Sequence, residues 1–221
     1  MSASPDQRLS DEVRAARDAA AALHTTVPAL PRPARELLWL EARSFNGWLD
    51  QPVSDQQLHE LYALLRMGPT ATNSSPARFV FVRSMAGKER LRPALAAGNV
   101  HKVMSAPVIA IIAHDLAFHQ HLSRLFPHRD SSAAFAGKPE LIATTAFRNG
   151  TLQGAYLMLA ARTLGLDCGP MSGFDNAAVD REFFAGTEIR SNFLCALGRG
   201  DPDSIFQRLP RFEFADVCEL V

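Results

Sequence analysis

The sequence predicts an α+β fold in which a mixed, mostly antiparallel sheet lies between helices. Apolar segments typical of strands, amphipathic segments with helical spacing, and their irregular alternation along the chain support this class. Regular alternation of strand and helix would instead indicate a doubly wound parallel sheet. No Gly-x-Gly-x-x-Gly motif follows a predicted strand, which argues against a Rossmann nucleotide site.

Composition places the chain among globular proteins and excludes several function classes. Its 221 residues suit one domain, and the 23 basic residues balance the 23 acidic ones, so we expect no general attraction to nucleic acid or to a membrane surface. The longest apolar run, Ala106–Ala113, is too short to span a bilayer, and the N-terminus lacks the layout of a signal peptide. Cys168, Cys195 and Cys218 form neither a zinc pattern nor a disulfide framework, which predicts a cytoplasmic protein.

The first segment, residues 1–34, is predicted to be a helical appendage with a proline-rich linker, distinct from a main domain over residues 35–221. Ser10 could cap a helix over Asp11–Leu23, since acidic residues follow it and alanine favours helix. An extended linker is predicted from three closely spaced prolines: Pro28, Pro31 and Pro33.

The next elements follow from caps and periodicity. Ser54 is the expected cap of a helix over Asp55–Met67, and the polar segment Pro69–Pro76 is predicted to be a loop, either an ordinary connection or a binding loop. Alternation over Arg78–Arg83 predicts a strand. Lys88–Ala97 is expected to be a helix with Gly98 as its C-terminal cap, and the apolar run Ala106–Ala113 a buried strand.

Residues 114–139 have weak periodicity and many aromatic residues, and are predicted to form a mobile lid over a pocket. We expect no metal site there, because no carboxylate or cysteine completes a ligand set at helical spacing. The histidines in question are His114, His119, His121 and His128.

The organising element is a helix predicted over Thr145–Leu164 and ended by Gly165. Apolar side chains lie almost all round it, which indicates burial in a large core or between subunits. The following segment, Cys168–Asp175, is predicted to be a rigid turn whose backbone N–H groups could hold a planar or anionic ligand; an ordinary tight turn is the alternative. The remaining prediction is a helix over Asn176–Phe184 and strands over Ser191–Leu197 and Phe212–Val217, giving four strands and about six helices.

Arg43–Trp48 places a cation and a hydroxyl group side by side after a helical segment. Arginine and serine together can hold a phosphate, one by charge and the other by hydrogen bonding. A solvated arginine at a helix end is the alternative. This segment alone does not decide between them.

Taken together and in order, these segments resemble the FMN-dependent nitroreductase family over about residues 36–221. The matching elements are Arg43-Ser-x-Asn-x-Trp48 with Pro52-Val, the loop Pro69–Pro76, Gly169-Pro-Met-Ser-Gly-Phe-Asp175, Gly198-Arg-Gly200 and Arg208-Leu-Pro210. Within the family, the chain is most similar to the malonic semialdehyde reductases of the Rut pathway of pyrimidine degradation. That similarity depends on Asn46-Gly-Trp48, Ser75-Pro-Ala-Arg78, Lys88–Leu95, Ala146-Phe-Arg-Asn149 and Gly169–Asp175.

The resemblance implies a three-layer fold and a homodimer, with the long helix at the interface and FMN sites shared between subunits. It implies an oxidoreductase that takes hydride from NADPH or NADH in a ping-pong cycle and reduces malonic semialdehyde to 3-hydroxypropionate. A generic nitroaromatic or quinone reductase is the alternative, and a non-catalytic dimeric interaction protein is an alternative of another class.

The resemblance also implies site residues. Arg43, Ser44 and Arg208 would hold the FMN phosphate, and Asn99 and Lys102 would reach the flavin ring and the ribityl chain. The partner subunit would supply Pro69, Thr70, Ala71 and Asn73. Against the flavin ring would lie Pro170, Met171, Ser172 and Gly173, with a main-chain N–H near Ser172 donating to flavin N5.

The sequence departs from the family pattern in two places, and no catalytic side chain is assigned. Asn46 stands where the family prefers a cation, and Ala77-Arg78 replaces an aromatic pair. A substrate carboxylate would need a cation, for which Arg78 and Arg148 are the candidates. An ion pair or an interface hydrogen bond is the alternative role of each.

Overall fold

The computed structural model describes residues 5–27 and 29–221, which form two compact units meeting in sequence at Ala42 and Arg43. The first unit contains helix α1 (Pro5–Thr26), helix α2 (Arg32–Arg35) and a π-helical turn over Glu36–Leu40. None of the described helices has both the length and the apolar character needed to cross a membrane.

Two predictions for the first unit are wrong. Helix α1 begins at Pro5, so Ser10 lies inside it and is not its cap. Pro33 belongs to the first turn of α2, where its fixed φ suits a helix start, and only Pro31 of the described linker prolines has extended backbone. Pro28 lies outside the described residues.

The second unit contains a four-stranded sheet in the order β1-β2-β4-β3. Its strands are β1 (Ala77–Val82), β2 (Val108–Asp115), β3 (Asp167–Met171) and β4 (Ile189–Gly198). Each pairing between these strands is antiparallel, and a parallel bridge joins Ser44 to Cys168 beside β3. The predicted α+β class is therefore confirmed.

Helices cover both faces of this sheet. The helices of this unit are α3 (Asp55–Leu65), α4 (Met85–Leu91), α5 (Ala97–Ser105), α6 (Leu122–Leu125), α7 (Pro139–Thr163), α8 (Asn176–Phe183) and α9 (Phe214–Val217), of which α3 and α7 pack on one face and α4, α5 and α8 on the other. On one face, Leu61 of α3 and Leu157 of α7 belong to the same buried cluster as Ile112 of β2. On the other face, Val103 of α5 and Val179 of α8 pack in a second cluster with strand residues. The predicted three-layer arrangement is confirmed.

The prediction of a turn over Cys168–Asp175 is wrong in its first half, because Asp167–Met171 is strand β3. Cys-Gly-Pro has low strand propensity, but β3 is an edge strand, where Pro170 can lack an N–H without breaking an interior ladder. The predicted last strand over Phe212–Val217 is also wrong. Residues 214–217 form helix α9 instead, with Glu213 and Asp216 in a capping box.

The prediction of a single helix over Lys88–Ala97 is wrong, because this range contains the end of helix α4, a 3₁₀ turn over Arg92–Ala94 and only the first residue of helix α5. Helix α4 starts after Ser84, whose hydroxyl accepts a hydrogen bond from the Gly87 N–H at 3.1 Å, and it ends before Pro93. Helix α5 starts at Ala97, so Gly98 lies in its first turn and is not a C-terminal cap. This division places Asn99 and Lys102 one turn apart on the same helix.

Several local predictions are confirmed. Ser54 and Gln57 form a capping box at the start of α3, and Gly165 ends α7 with a φ of +72°. Helix α7 starts earlier than predicted, at Pro139, because proline is favoured in a first helical turn. In the predicted lid, Phe118 and Phe135 are buried with Leu122 in a third cluster, so these side chains pack together and do not line an open pocket.

Candidate functional site

The segment Arg43–Asn46 lies against the outer edge of β3. The Phe45 N–H donates to the Cys168 carbonyl at 3.1 Å, next to the bridge between Ser44 and Cys168. This approach requires glycine at position 169, because a Cβ there would lie 2.6 Å from the Phe45 carbonyl oxygen. This close packing fixes the backbone position from which the Arg43 and Ser44 side chains extend.

The C-terminal segment comes beside the same edge. The Arg43 guanidinium donates to the Phe206 carbonyl, and the Asn46 amide donates to the Ser204 carbonyl at 3.3 Å. Arg208 follows Phe206 by two residues. The structure therefore brings Arg43, Ser44 and Asn46 together with the segment that carries Arg208, which lies more than 150 residues away in sequence.

Helix α5 contacts the segment that leaves β3. The Asn99 amide donates to the Gly173 carbonyl at 2.9 Å, and the Ala96 N–H donates to the same oxygen at 3.0 Å. A Cβ at position 173 would lie 2.6 Å from the Asn99 amide nitrogen, so this packing also depends on glycine. Asn99 and Gly173, both predicted site residues, are in direct contact.

Two features of this region favour an anionic or planar ligand. Ser172 and Gly173 are exposed, and among the described residues their N–H groups have no hydrogen-bond acceptor. Partial burial lowers the pKa of the Lys102 ammonium, while nearby Cys195 acts in the opposite direction. A partly desolvated cation gains from an added anion, and free backbone N–H groups can donate to a ring nitrogen or carbonyl.

The loop Pro69–Pro76 is held against α7, at another part of the molecule. The Tyr156 hydroxyl donates to the Pro69 carbonyl at 2.9 Å, and the Ala71 N–H donates to the Asn149 side chain at 2.8 Å. The Asn73 amide donates to the Leu125 carbonyl at 2.8 Å. Thr70 accepts from the backbone of the same loop.

This loop has an unusual backbone. Thr72, Asn73 and Ser75 have φ values of 50°, 50° and 41°. The left-handed region costs an L-residue about 1–2 kcal/mol, so contacts from outside must hold this shape.

Of the two candidates for binding a substrate carboxylate, Arg78 is engaged. Its guanidinium pairs with Asp115 at 2.7 Å and also donates to the Ala77 carbonyl at 2.9 Å. Arg148 is exposed on α7, and no hydrogen bond or ion pair joins it to another described residue. The structure thus shows the ion-pair alternative for Arg78 and leaves Arg148 available.

Some residues near the loop received no role from sequence reasoning. Asn149 and Gln153 are buried polar residues on α7, and His114 lies buried beneath the same helix against the Phe147 ring. Burial lowers the pKa of His114, with Asp180 acting in the opposite direction. The sequence signal for the two amides was their polarity in a helix with many apolar side chains.

Comparison with known proteins identifies the family. A family profile described as "Nitroreductase family" matches residues 41–199. A protein of Burkholderia lata that is named for NADH dehydrogenase/NAD(P)H nitroreductase is 60% identical over 187 residues, which cover 85% of this chain and 96% of that protein. A protein of Cupriavidus pinatubonensis with the same kind of name is 60% identical over 182 residues, covering 81% and 93%. The chain therefore belongs to the nitroreductase family.

Solved structures agree on the fold. A nitroreductase-like protein of Exiguobacterium sibiricum in complex with FMN has a TM-score of 0.76 at 19% identity, covering 87% of this chain and 98% of that one. A nitroreductase-family protein of Streptococcus pneumoniae has a TM-score of 0.73 at 20% identity, covering 82% and 96%. At this identity, the likeness establishes the nitroreductase fold.

Proposed function

We propose that the protein is a homodimeric FMN-dependent oxidoreductase that takes hydride from NADH or NADPH and delivers it to nitroaromatic or quinone acceptors. The observation that carries the proposal is that β3 and the segment after it connect three features: Arg43 with its C-terminal contact, the Asn99–Gly173 contact, and the exposed N–H groups of Ser172 and Gly173, which have no acceptor among the described residues. The names of the two relatives, at 60% identity, support the same chemistry.

The chain's own residues fit FMN. Arg43 and Ser44 would hold its phosphate together with Arg208, because guanidinium groups can bind a phosphate bidentately. Asn99 and Lys102 would reach the flavin ring and the ribityl chain from α5. Asn46, which donates to Ser204, would help to hold the C-terminal segment in place, where a cation would otherwise add charge.

The far side of the site would be Pro170, Met171, Ser172 and Gly173, with the exposed N–H near Ser172 donating to the ring. When bound, FMN would supply the two-electron hydride-transfer chemistry of a ping-pong cycle between the nicotinamide and the acceptor. The protein's task is then to bind, orient and limit access to the ring. No side chain is assigned as a proton donor.

Two exposed apolar surfaces favour a homodimer. Helix α7 exposes the apolar side chains Leu141, Phe147 and Leu152. The C-terminal segment exposes a second set: Phe206, Leu209, Phe212, Phe214, Val217 and Leu220. Exposed apolar surfaces of this extent mark interaction sites, and a second copy would cover them. In that dimer, Pro69, Thr70, Ala71 and Asn73 would complete the partner's flavin site.

Malonic semialdehyde is the second candidate substrate, and Arg148 is the observation that favours it. A carboxylate substrate needs a cation that is not already neutralised, and Arg148 meets this condition within the described residues, whereas Arg78 is paired with Asp115. Nitro groups and quinones need no such anchor. The names of the relatives favour the nitroaromatic or quinone reductase.

The test combines a spectrum with kinetics. We expect the purified protein to be yellow, to take up FMN, and to be bleached by NADH or NADPH under anaerobic conditions. We expect kcat/KM for a nitrobenzene or a quinone to exceed that for malonic semialdehyde. A colourless protein that takes up no FMN from excess would favour the non-catalytic dimeric interaction protein.

Substrate and oligomer are tested separately. A preference for malonic semialdehyde over propanal of about tenfold or more, abolished by Arg148→Ala, would establish the second candidate. Sedimentation should find a dimer. A stable folded monomer at micromolar concentration would contradict the shared site.

A further inference from the structure

Three polar side chains on one face of α7 contact the loop Pro69–Pro76 and its junction with β1. Asn149, Gln153 and Tyr156 are spaced by four and three residues, so they follow one another along the helix surface. We call these three residues the α7 ladder. Tyr156 and Asn149 hydrogen-bond the loop's backbone, and Gln153 hydrogen-bonds the first residue of β1.

Each ladder residue holds a different backbone group. Tyr156 donates to the Pro69 carbonyl at 2.9 Å, Asn149 accepts from the Ala71 N–H at 2.8 Å, and Gln153 accepts from the Ala77 N–H at 2.8 Å. The amide of Asn149 also donates to the Thr145 carbonyl at 2.8 Å, which fixes its orientation. The loop is therefore attached to α7 from Pro69 to Ala77.

Burial of the Asn149 and Gln153 amide groups costs free energy unless they are hydrogen-bonded. Asn149 is only 2% exposed and Gln153 only 4%. An apolar residue would pack against the sheet without any need for a partner, whereas a buried amide is tolerated only when it is hydrogen-bonded. The backbone of the loop supplies those partners, so the amides and the loop depend on each other.

The loop needs external support of this kind. Thr72, Asn73 and Ser75 are left-handed, a conformation that persists only where its surroundings impose it. The ladder also shapes the entry to the loop. A Cβ at Gly68 would lie 2.1 Å from the Tyr156 ring, so the ring occupies space that any other residue at position 68 would need.

We propose that the α7 ladder is a positioning device for the cofactor, which holds the loop in the shape that reaches the flavin of a second copy. Asn149, Gln153 and Tyr156 then control FMN affinity without touching FMN. This inference rests on the proposed function, in which the loop completes the partner's site. Helix α7 also carries exposed apolar side chains of the proposed dimer interface. The same helix therefore contributes to dimer association and to the conformation of the loop.

The two tyrosines of the chain provide a matched test. Tyr156→Phe removes only the hydroxyl that donates to Pro69 and keeps the ring over Gly68. Tyr62→Phe removes an exposed hydroxyl on α3, for which the described residues provide no hydrogen bond. Asn149→Leu removes the acceptor of the Ala71 N–H.

The measurements are the FMN dissociation constant of the apoprotein, by flavin fluorescence, and its melting temperature. Loss of one neutral hydrogen bond changes an equilibrium by about three- to tenfold, so we expect Tyr156→Phe to weaken FMN binding by that factor. Asn149→Leu should weaken it by more than about tenfold, since a buried N–H loses its partner. Tyr62→Phe should leave it unchanged. Turnover at saturating FMN should recover in both ladder variants.

A purely structural role predicts a different pattern, namely a lower melting temperature with unchanged FMN affinity of the folded protein. That pattern would overturn the inference, and so would equal FMN affinity for Tyr156→Phe and Tyr62→Phe. If Asn149→Leu does not fold, the comparison of FMN affinity between Tyr156→Phe and Tyr62→Phe tests the inference by itself. A wild-type protein that binds no FMN would overturn the proposed function, and this inference with it.

Discussion

Substitution of Gly169 tests the packing that places the Arg43–Asn46 segment beside β3. In Gly169→Ala, the new Cβ would lie 2.6 Å from the Phe45 carbonyl oxygen and 3.0 Å from the Trp48 ring. Real Cβ contacts do not fall below 3.0 Å, so Phe45 has to move by at least 0.4 Å. The obstacle is backbone, which cannot rotate away as a flexible side chain can.

The cost follows from two effects. Overpacking of a close contact costs about 1–3 kcal/mol. The hydrogen bond from the Phe45 N–H to the Cys168 carbonyl, now 3.1 Å, would lengthen, which adds about 1 kcal/mol. We therefore expect Gly169→Ala to lower the free energy of unfolding by about 2–4 kcal/mol. Because Arg43 and Ser44 move with Phe45, FMN affinity should also fall, by about tenfold.

Gly98→Ala is the matched control. A Cβ at this position in α5 meets nothing within 4 Å, and the residue has no positive φ. Alanine in a helix should raise the free energy of unfolding by up to about 1 kcal/mol. Urea unfolding and FMN titration of both variants give the comparison. If Gly169→Ala is as stable as Gly98→Ala and binds FMN as tightly as wild type, the proposed placement of Arg43 and Ser44 is wrong.

Three further predictions concern pH, an ion pair and the N-terminal segment. Burial lowers the pKa of His114 below its ordinary 6.5, so the neutral side chain contributes stability to the folded state above that pH. This contribution is lost as the pH falls through the folded-state pKa. His114→Gln should therefore reduce the loss of unfolding free energy between pH 7.5 and 5.5, measured by urea unfolding. Arg78→Ala leaves the nearly buried Asp115 without its partner and should lower the free energy of unfolding by about 2 kcal/mol, with a smaller loss in an Asp115→Ala background. Deletion of residues 1–34 should leave FMN binding unchanged, and a truncated protein that precipitates or loses flavin would show that this segment is part of the main domain.

Local signals made parts of the fold predictable from sequence. The capping box at Ser54 and the glycine at position 165 marked the start of α3 and the end of α7, because capping involves residues within one turn of each other. Alternation predicted β1, and apolar runs predicted β2 and β4, because hydrophobic patterning is also a local property of the sequence. The nitroreductase resemblance then ordered these pieces, and the family was confirmed.

Strand β3 was decided by its position in the tertiary structure, whereas helix α9 has a local cap that the sequence prediction overlooked. Gly169 and Pro170 look like turn residues, and only the place of β3 at the sheet edge makes proline acceptable there. Residues 212–217 were predicted to form a strand. A strand also needs a neighbour to pair with, and the capping box of Glu213 and Asp216 instead favoured a short helix.

In the candidate site, too, some features were predictable from sequence and others depended on the tertiary structure. The sequence alone determined which residue types were available: an arginine beside a serine, and a glycine-rich segment after a long apolar helix. It also offered an ion pair as one of two possible roles for Arg78. Only the tertiary structure paired Arg78 with Asp115, joined Arg43 to Phe206, and turned Asn149 into a support for a loop far away in sequence. Caps and periodicity act over a few residues and leave a local signature, whereas hydrogen bonds between distant segments depend on how the sheet and helices pack.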